Sequence, residues 1–211
     1  MFDLLGIHDF WVFALAGLLL NLTPGPDTFY ILGRTLAQGR RAGVASVIGI
    51  SAGSVIHTLA AVTGLSVLLA TSATAFMAVK FVGAAYLIYL GARMVFSRAT
   101  PGVRPTMLAD AEPAIIFRQG LLTNLLNPKV ALFFLAFVPQ FIAPESDSKF
   151  LAFLVLGFCF ITTGTLWCLC LVAFASLLGD RLRVNTRVAD WLNRSVGALF
   201  IFLGARLAVI K

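Results

Sequence analysis

Charged residues are scarce in this chain of 211 residues. They make up 12% of it, against roughly a quarter in an ordinary soluble domain. Apolar residues make up 60%, and the mean hydropathy is +0.96. This composition excludes an ordinary soluble domain and predicts an all-α integral membrane protein.

The chain also lacks the motifs of several large classes of function. It contains no Gly-Lys pair, so it has no phosphate-binding loop, and we do not expect it to hydrolyse nucleotides. Its cysteines, Cys159, Cys168 and Cys170, fit neither a disulfide framework nor a zinc spacing, and we expect them to pack as small apolar residues. The net charge of +7 is spread over short connections rather than gathered in a basic domain, so nucleic acid is not an expected partner. We expect no cofactor, no metal site and no enzymatic activity.

Apolar runs of about 20 residues, long enough to cross a bilayer, occur six times. They cover 10–33, 43–70, 74–96, 117–142, 150–178 and 191–210. No Lys or Arg precedes Arg34, unlike the basic start of a cleaved signal peptide, so we expect the first run to remain in the mature protein. Basic residues concentrate in the first, third and fifth connections. The positive-inside rule therefore predicts that these connections are cytoplasmic and that both termini face outward.

The two halves of the chain resemble each other. A polar, proline-rich linker, 97–116, separates a first repeat, 1–96, from a second repeat, 117–211. AYLIYLGAR at 85–93 and ALFIFLGAR at 198–206 share six of nine residues. Because each half holds an odd number of spans, duplication predicts two inverted three-helix repeats.

Proline motifs interrupt the first run of each half. NLTPGPD begins at Asn21, and NLLNPK begins at Asn124. Proline removes a helical hydrogen bond, and lipid offers no replacement partner, so we expect helices 1 and 4 to break there. Each motif contains a residue typical of an N-cap followed by a proline typical of the first helical position. These pairs are Thr23 with Pro24 and Asn127 with Pro128. The restarted helices would aim their N-termini at the membrane interior, which favours a carboxylate-sized anion site.

Three ionisable side chains within the runs are candidates for function. Asp27 lies seven residues before Arg34, and Lys129 lies eleven after Arg118, roughly 10 and 16 Å into the membrane from its cytoplasmic side. Such charges normally face a cavity or a partner, so we expect an Asp27–Lys129 pair, the alternative being that Lys129 extends to the membrane surface. His57 shares a helix face with Gly49 and Gly53, where it either titrates and binds substrate or serves packing.

The motif stretches are similar to those of a known family. NLTPGPD, GISAGSVIH, VGAAYLIYLGAR and NLLNPKVALFFLAFVPQF resemble the LysE-type amino-acid exporters, especially the RhtB-type homoserine/threonine branch. The resemblance covers nearly the whole chain. It implies a six-helix exporter of amino acids or their derivatives in the bacterial inner membrane, driven by the proton-motive force. The family's motif positions correspond here to Asn21, Pro24, Gly25, Pro26, Asp27, His57, Asn127, Pro128 and Lys129.

These features together predict a proton-coupled secondary transporter that works by alternating access. The expected substrate is a small zwitterion, and the other expected partners are protons and the lipid bilayer; monomer and homodimer are both left open. Expected substrate-binding residues are Asn21, Thr23, Pro24, Gly25, Pro26, Asp27, His57, Asn124, Asn127, Pro128 and Lys129. Those expected to couple protons are Asp27, Lys129 and His57. The alternatives are a metal-ion exporter of the same superfamily and a membrane thiol oxidoreductase.

Overall fold

The computed structural model is built from helices. It describes residues 3–65 and 111–178, together with single helical positions between 77 and 96 and between 191 and 209. The α-helices of the two continuous ranges are α1 (Phe10–Leu22), α2 (Pro26–Ala60), α3 (Pro113–Leu125), α4 (Pro128–Leu132) and α5 (Lys149–Leu178). Shorter 3-10 helices cover Asp3–Leu5 and Val138–Phe141, and π-helical turns cover Ala61–Leu65 and Phe133–Phe137. Most of the predicted third and sixth spans, and the linker up to residue 110, lie outside the described residues.

Helix α2 is a hairpin of two arms that reverses at Gly39. Its 35 residues would extend about 50 Å if straight, well beyond the roughly 30 Å of a bilayer core. Gly39 has φ 80° and ψ −174°, a conformation that glycine adopts without steric cost. The reversal brings the Thr35 hydroxyl against Gly43. The first arm, 26–38, and the second arm, 40–60, therefore belong to the predicted first and second spans, and helix continues past the bounds expected at 33 and 43.

The predicted break in the first span is confirmed, but its capping residues were wrong. Helix α1 ends at Leu22 and α2 begins at Pro26, with Gly25 rather than Thr23 in the N-cap position. A residue that precedes proline avoids helical geometry, so Gly25 stays extended and the second proline starts the helix. The Thr23 hydroxyl instead donates to the Leu19 carbonyl at 2.8 Å and closes α1.

The predicted break in the fourth span is confirmed together with its cap. Asn127 Oδ1 accepts a hydrogen bond of 3.1 Å from the Lys129 amide, and Pro128 is the first helical residue. The helices before and after this break are bent by 50°. Helix α3 begins at Pro113, a favoured first helical residue, after Glu112, which is extended. Its first turn therefore lies within the predicted linker of 97–116.

Glycines on the second arm of α2 allow α3 to approach closely, as the sequence predicted. A Cβ atom on Gly49 would collide with the main chain at Phe117, and one on Gly53 would lie 2.6 Å from Asn124 Oδ1. The two helices therefore meet backbone to backbone along this face. Their contact brings the second arm of α2 against the end of α3 at which the fourth span breaks.

An aromatic cluster fills one end of the bundle, which we call the Ile7 end. Phe13, Phe133, Phe137 and Phe141 lie within 4.8 to 6.3 Å of one another in consecutive ring contacts. The N-terminal segment, 3–9, covers this cluster through hydrogen bonds such as Ala143 N to Gly6 O at 2.8 Å. The opposite end, where α2 reverses, is the Gly39 end.

Length and composition mark several of these helices as membrane spans. In the described ranges, 26–64 and 149–177 qualify alone, and 113–125 with 128–141 qualifies as a bent pair. The segment 26–64 contributes two arms because it reverses at Gly39. Large apolar side chains remain exposed on the outer surface, among them Trp11, Phe158 and Leu126. This is the architecture of a helical membrane protein.

Candidate functional site

A cavity of about 40 Å³ lies between the two helix breaks and α5. It has room for about three water molecules. Its polar lining consists of Asn21, Asp27, Thr28, Ser51, Ser54, Asn124, Lys129, Thr165 and Cys168. Apolar side chains complete the wall: Leu20, Ile50, Val130, Phe160 and Ile161, next to Gly164. The site therefore draws on α1, both arms of α2, α3, α4 and α5.

Lys129 turns its ammonium into the bundle. Its Nζ donates to the carbonyl oxygens of Leu20, at 3.0 Å, and Thr23, at 2.9 Å. These carbonyls end α1, where main-chain acceptors lack helical partners and the helix dipole is negative. Gly25 leaves room for the side chain, since a Cβ atom there would lie 3.3 Å from Nζ. Lys129 therefore does not extend to the membrane surface, which was the alternative reading of its position.

Asp27 is held by an amide rather than by an ion pair. Its Oδ2 accepts a hydrogen bond of 2.8 Å from Asn124 Nδ2, and Ser54 donates to Asn124 Oδ1 at 3.3 Å. Among the described residues, Asp27 Oδ1 is buried without a hydrogen-bond partner. Asp27 and Lys129 line the same cavity and interact electrostatically, but the expected direct ion pair is not formed in this structure.

His57 contacts the end of α3 and does not line the cavity. Its Nε2 lies 3.2 Å from the Asn124 carbonyl oxygen, and its ring stacks on Phe134 with 6.0 Å between centroids. The His57 side chain thus meets α3 from the face of α2 that carries Gly49 and Gly53. His57 therefore supports Asn124, which lines the cavity, without reaching the cavity itself.

Of the other predicted residues, some line the cavity and the rest shape the backbone at the helix breaks. Asn21 lines the cavity, and its amide reaches the Phe160 carbonyl and Thr163 Oγ1, both at 3.4 Å. Asn127 is 2% exposed, and in the described part of the chain its Nδ2 has no hydrogen-bond partner. The remaining predicted positions shape the backbone at the breaks: Thr23, Pro24, Gly25, Pro26 and Pro128.

Several lining residues were missed or assigned to packing. Thr28, Ser51, Ser54 and Thr165 were not predicted as site residues, and Cys168 was expected to pack as a small apolar residue. On α5, the lining positions 161, 164, 165 and 168 recur at the three- and four-residue spacing of one helix face. That periodicity was the available signal. It was not sufficient alone, because small residues on such a face also serve helix packing.

A buried arginine crosses the bundle between the cavity and the Gly39 end. Arg34, only 4% exposed, donates from Nη1 to Gln38 at 2.7 Å and from Nη2 to Gln119 at 2.6 Å. Tyr30 donates to the Ile116 carbonyl at 2.8 Å nearby. The sequence suggested that Arg34 was a charge of the first connection, whereas here it joins the first arm of α2 to α3.

Comparison with known proteins agrees with this architecture. The leucine efflux protein of Salmonella typhimurium is 28% identical over the full length of both chains. Uncharacterised membrane proteins of Vibrio cholerae and Pseudomonas aeruginosa are each 33% identical, over 97% of this chain and over 98% and 96% of their own. No solved structure matches the chain. The family model described as "LysE type translocator" matches residues 18–210, so the resemblance found in the motifs is confirmed and this chain belongs to that family.

Proposed function

We propose that this protein exports amino acids from the cytoplasm as a secondary transporter. The observation that carries the proposal is the unused hydrogen-bonding capacity of the cavity region. Asp27 Oδ1, in the cavity lining, is a buried acceptor, and Asn127 Nδ2, at the second helix break, is a buried donor; the two side chains interact, but neither atom completes a hydrogen bond among the described residues. Leaving such groups unpaired costs about 1–3 kcal/mol each, so a ligand that pairs both is favoured. An amino acid brings an ammonium for one and a carboxylate for the other.

Family membership and relatives support this class of function. The chain belongs to the LysE type translocators, and relatives that match it over their full length are named leucine efflux proteins. Its apolar helices and broken spans suit a transporter rather than an enzyme. Amino-acid export is therefore the activity that the family and the cavity support together.

The carboxylate of the substrate binds on the side of Lys129. The Nζ of this residue now rests on two carbonyls of α1 and can turn to an anion in the cavity. The N-terminus of α2 lies at the same break and receives no side-chain cap, so its first N–H groups add positive potential. The substrate ammonium binds at Asp27 Oδ1, which lines the same cavity.

Proton coupling follows from the same two charges. A desolvated carboxylate binds its proton more tightly, and a nearby cation favours the ionised form. Movement of Lys129 relative to Asp27 between two states therefore changes the protonation of Asp27 and links export to proton entry. His57 contributes through Asn124, which holds the carboxylate.

Alternating access requires each end of the cavity to open in turn. The aromatic cluster at the Ile7 end and the Arg34–Gln119 contact toward the Gly39 end are the groups that we propose to separate in turn. Six spans in two inverted repeats allow one half to rock against the other. The positive-inside rule places the Gly39 end in the cytoplasm and both termini outside the inner membrane.

The experiment is efflux from substrate-loaded proteoliposomes under an imposed pH gradient. Asp27→Asn and Lys129→Met each remove one charge of the cavity, and a loss of about 2 kcal/mol lowers the initial rate by about thirtyfold. Asp147→Asn, in the connection before α5, and Lys149→Met, at the first residue of α5, make the same changes away from the cavity and retain the wild-type rate. Wild-type efflux from both cavity variants would contradict the assignment.

The alternatives differ in what the cavity must hold. A metal-ion cargo requires several ligands, but no three His, Cys, Asp or Glu side chains come together within the described residues. A thiol oxidoreductase requires a reactive cysteine pair, and export by a cysteine-free variant at the wild-type rate would exclude it. The opposite charges of Asp27 and Lys129 fit a zwitterion better than either alternative.

A further inference from the structure

We infer that the exported amino acid carries an uncharged aliphatic side chain; this rests on the proposed function and specifies its substrate class. The first ground is the number of acidic side chains within the apolar runs. Of the nine acidic residues in the chain, Asp27 alone lies within an apolar run. The others lie outside all six runs: Asp3, Asp9, Asp110, Glu112, Glu145, Asp147, Asp180 and Asp190. Once Asp27 binds the α-ammonium, the six apolar runs of the sequence contain no second carboxylate for a basic side chain.

The second ground is a continuous apolar wall near Lys129. Leu20, Val130 and Phe160 line the cavity and belong to the same buried core as the aromatic cluster, with exposures of 0 to 4%. Phe160 stacks on Phe133 with 4.4 Å between centroids, which fixes its position. Ile161 extends this wall along α5. A charged group placed against such a surface loses its hydration without gaining a partner.

The third ground is that most polar groups of the lining are already paired. Ser51 and Thr165 share a hydrogen bond of 2.8 Å, and Ser54 donates to Asn124 at 3.3 Å. Asn21 is directed to α5. Thr28 is the remaining hydroxyl of the lining, and it follows Asp27 directly, at the end where the α-amino group binds. A hydroxyl on the substrate side chain therefore finds few free partners, which favours leucine over threonine or homoserine.

Counterflow into proteoliposomes tests the inference with labelled leucine, norleucine, threonine, lysine and glutamate on the wild-type protein. At concentrations below saturation, leucine and norleucine should exceed threonine by about tenfold and lysine by about a hundredfold. Lysine or glutamate entering as fast as leucine would overturn the inference and leave amino-acid export intact. Uptake of none of the five would overturn the proposed function and this inference with it.

A matched pair of variants tests whether the apolar wall determines substrate specificity. Ile161→Thr puts a hydroxyl on the apolar surface and should lower the ratio of leucine to threonine uptake by about tenfold. Leu166→Thr makes a similar change on the same helix at a side chain that is 59% exposed, and it should preserve the ratio. An equal ratio in both variants would remove Ile161 from the substrate site. The ratio is measured within one preparation, so a lower yield of folded protein does not affect it.

Discussion

Asn124 is the residue that organises the candidate site. Its side chain connects Asp27 to Ser54, and its carbonyl contacts His57. At 1% exposure it is among the most buried polar residues of the described ranges. One amide thus fixes the orientation of the carboxylate that we propose to bind substrate and proton.

Replacing this amide tests its role at the scale of a single residue. Asn124→Leu removes the hydrogen bond to Asp27 Oδ2, and a cost of about 1–3 kcal/mol should lower efflux by about 5- to 150-fold. Thr123→Val changes the preceding residue, whose hydroxyl bonds only within its own helix, and should retain the wild-type rate. Equal efflux from the two variants would show that Asp27 does not depend on Asn124.

The sequence predicted the charged members of the site better than the neutral ones. Asp27 and Lys129 stand out because charges are rare and costly in apolar runs. Ser51, Thr165 and Cys168 do not stand out, since small polar residues also serve packing between helices. Whether Lys129 binds a carboxylate or the end of a helix depends on where α1 lies in the bundle. The sequence pattern of one helix carries no information about the position of another.

At the scale of elements, the contact between α2 and α3 supports the site. Gly53 faces Asn124 directly, whereas a Cβ atom on Gly64 would meet nothing within 4 Å. Gly53→Ala should therefore separate the helices, reduce the free energy of unfolding by about 1–3 kcal/mol and slow efflux. Gly64→Ala is the control and should leave both unchanged. Thermal unfolding in detergent and proteoliposome efflux are the measurements, and equal values for the two variants would contradict close packing at Gly53.

The helix breaks were predictable, whereas their details were not. Proline identifies both interruptions because it removes a hydrogen bond wherever it stands in a helix. A proline keeps the residue before it extended, so Pro26 keeps Gly25 out of the helix. For this reason the helix begins at Pro26 and not at Pro24. Helix also continues to the reversal at Gly39, and Arg34, expected at the end of the first span, finds its partners inside the bundle.

At the scale of the whole molecule, the described positions of the third and sixth predicted spans are helical and meet each other. A Cβ atom on Gly204 would lie 2.8 Å from the Ala84 carbonyl oxygen and 3.1 Å from the Ile88 amide. Gly204 belongs to the repeated LGAR segment of the second half. Internal similarity predicted that these spans correspond, but it could not predict that they touch. The inverted six-span arrangement stays a prediction.

Labelling from outside the cell tests that topology. In a cysteine-free background, Asp147→Cys at the Ile7 end should react with a membrane-impermeant maleimide in intact cells, because the positive-inside rule places this end outside. Arg40→Cys at the Gly39 end should react only after the cells are opened. The reverse pattern would invert the orientation and with it the proposed direction of export.

The central claim is that substrate occupies the cavity between the two helix breaks, and Cys168, one of its lining residues, reports on this directly. The measurement is the alkylation rate of Cys168 in a Cys159→Ala/Cys170→Ala background, with and without the amino acid that the counterflow panel finds fastest. At ten times its dissociation constant, the substrate should slow alkylation by about tenfold. In a Cys159→Ala/Cys168→Ala control, Cys170, which is exposed, should show no protection. An unchanged Cys168 rate at a concentration that saturates transport would contradict the account.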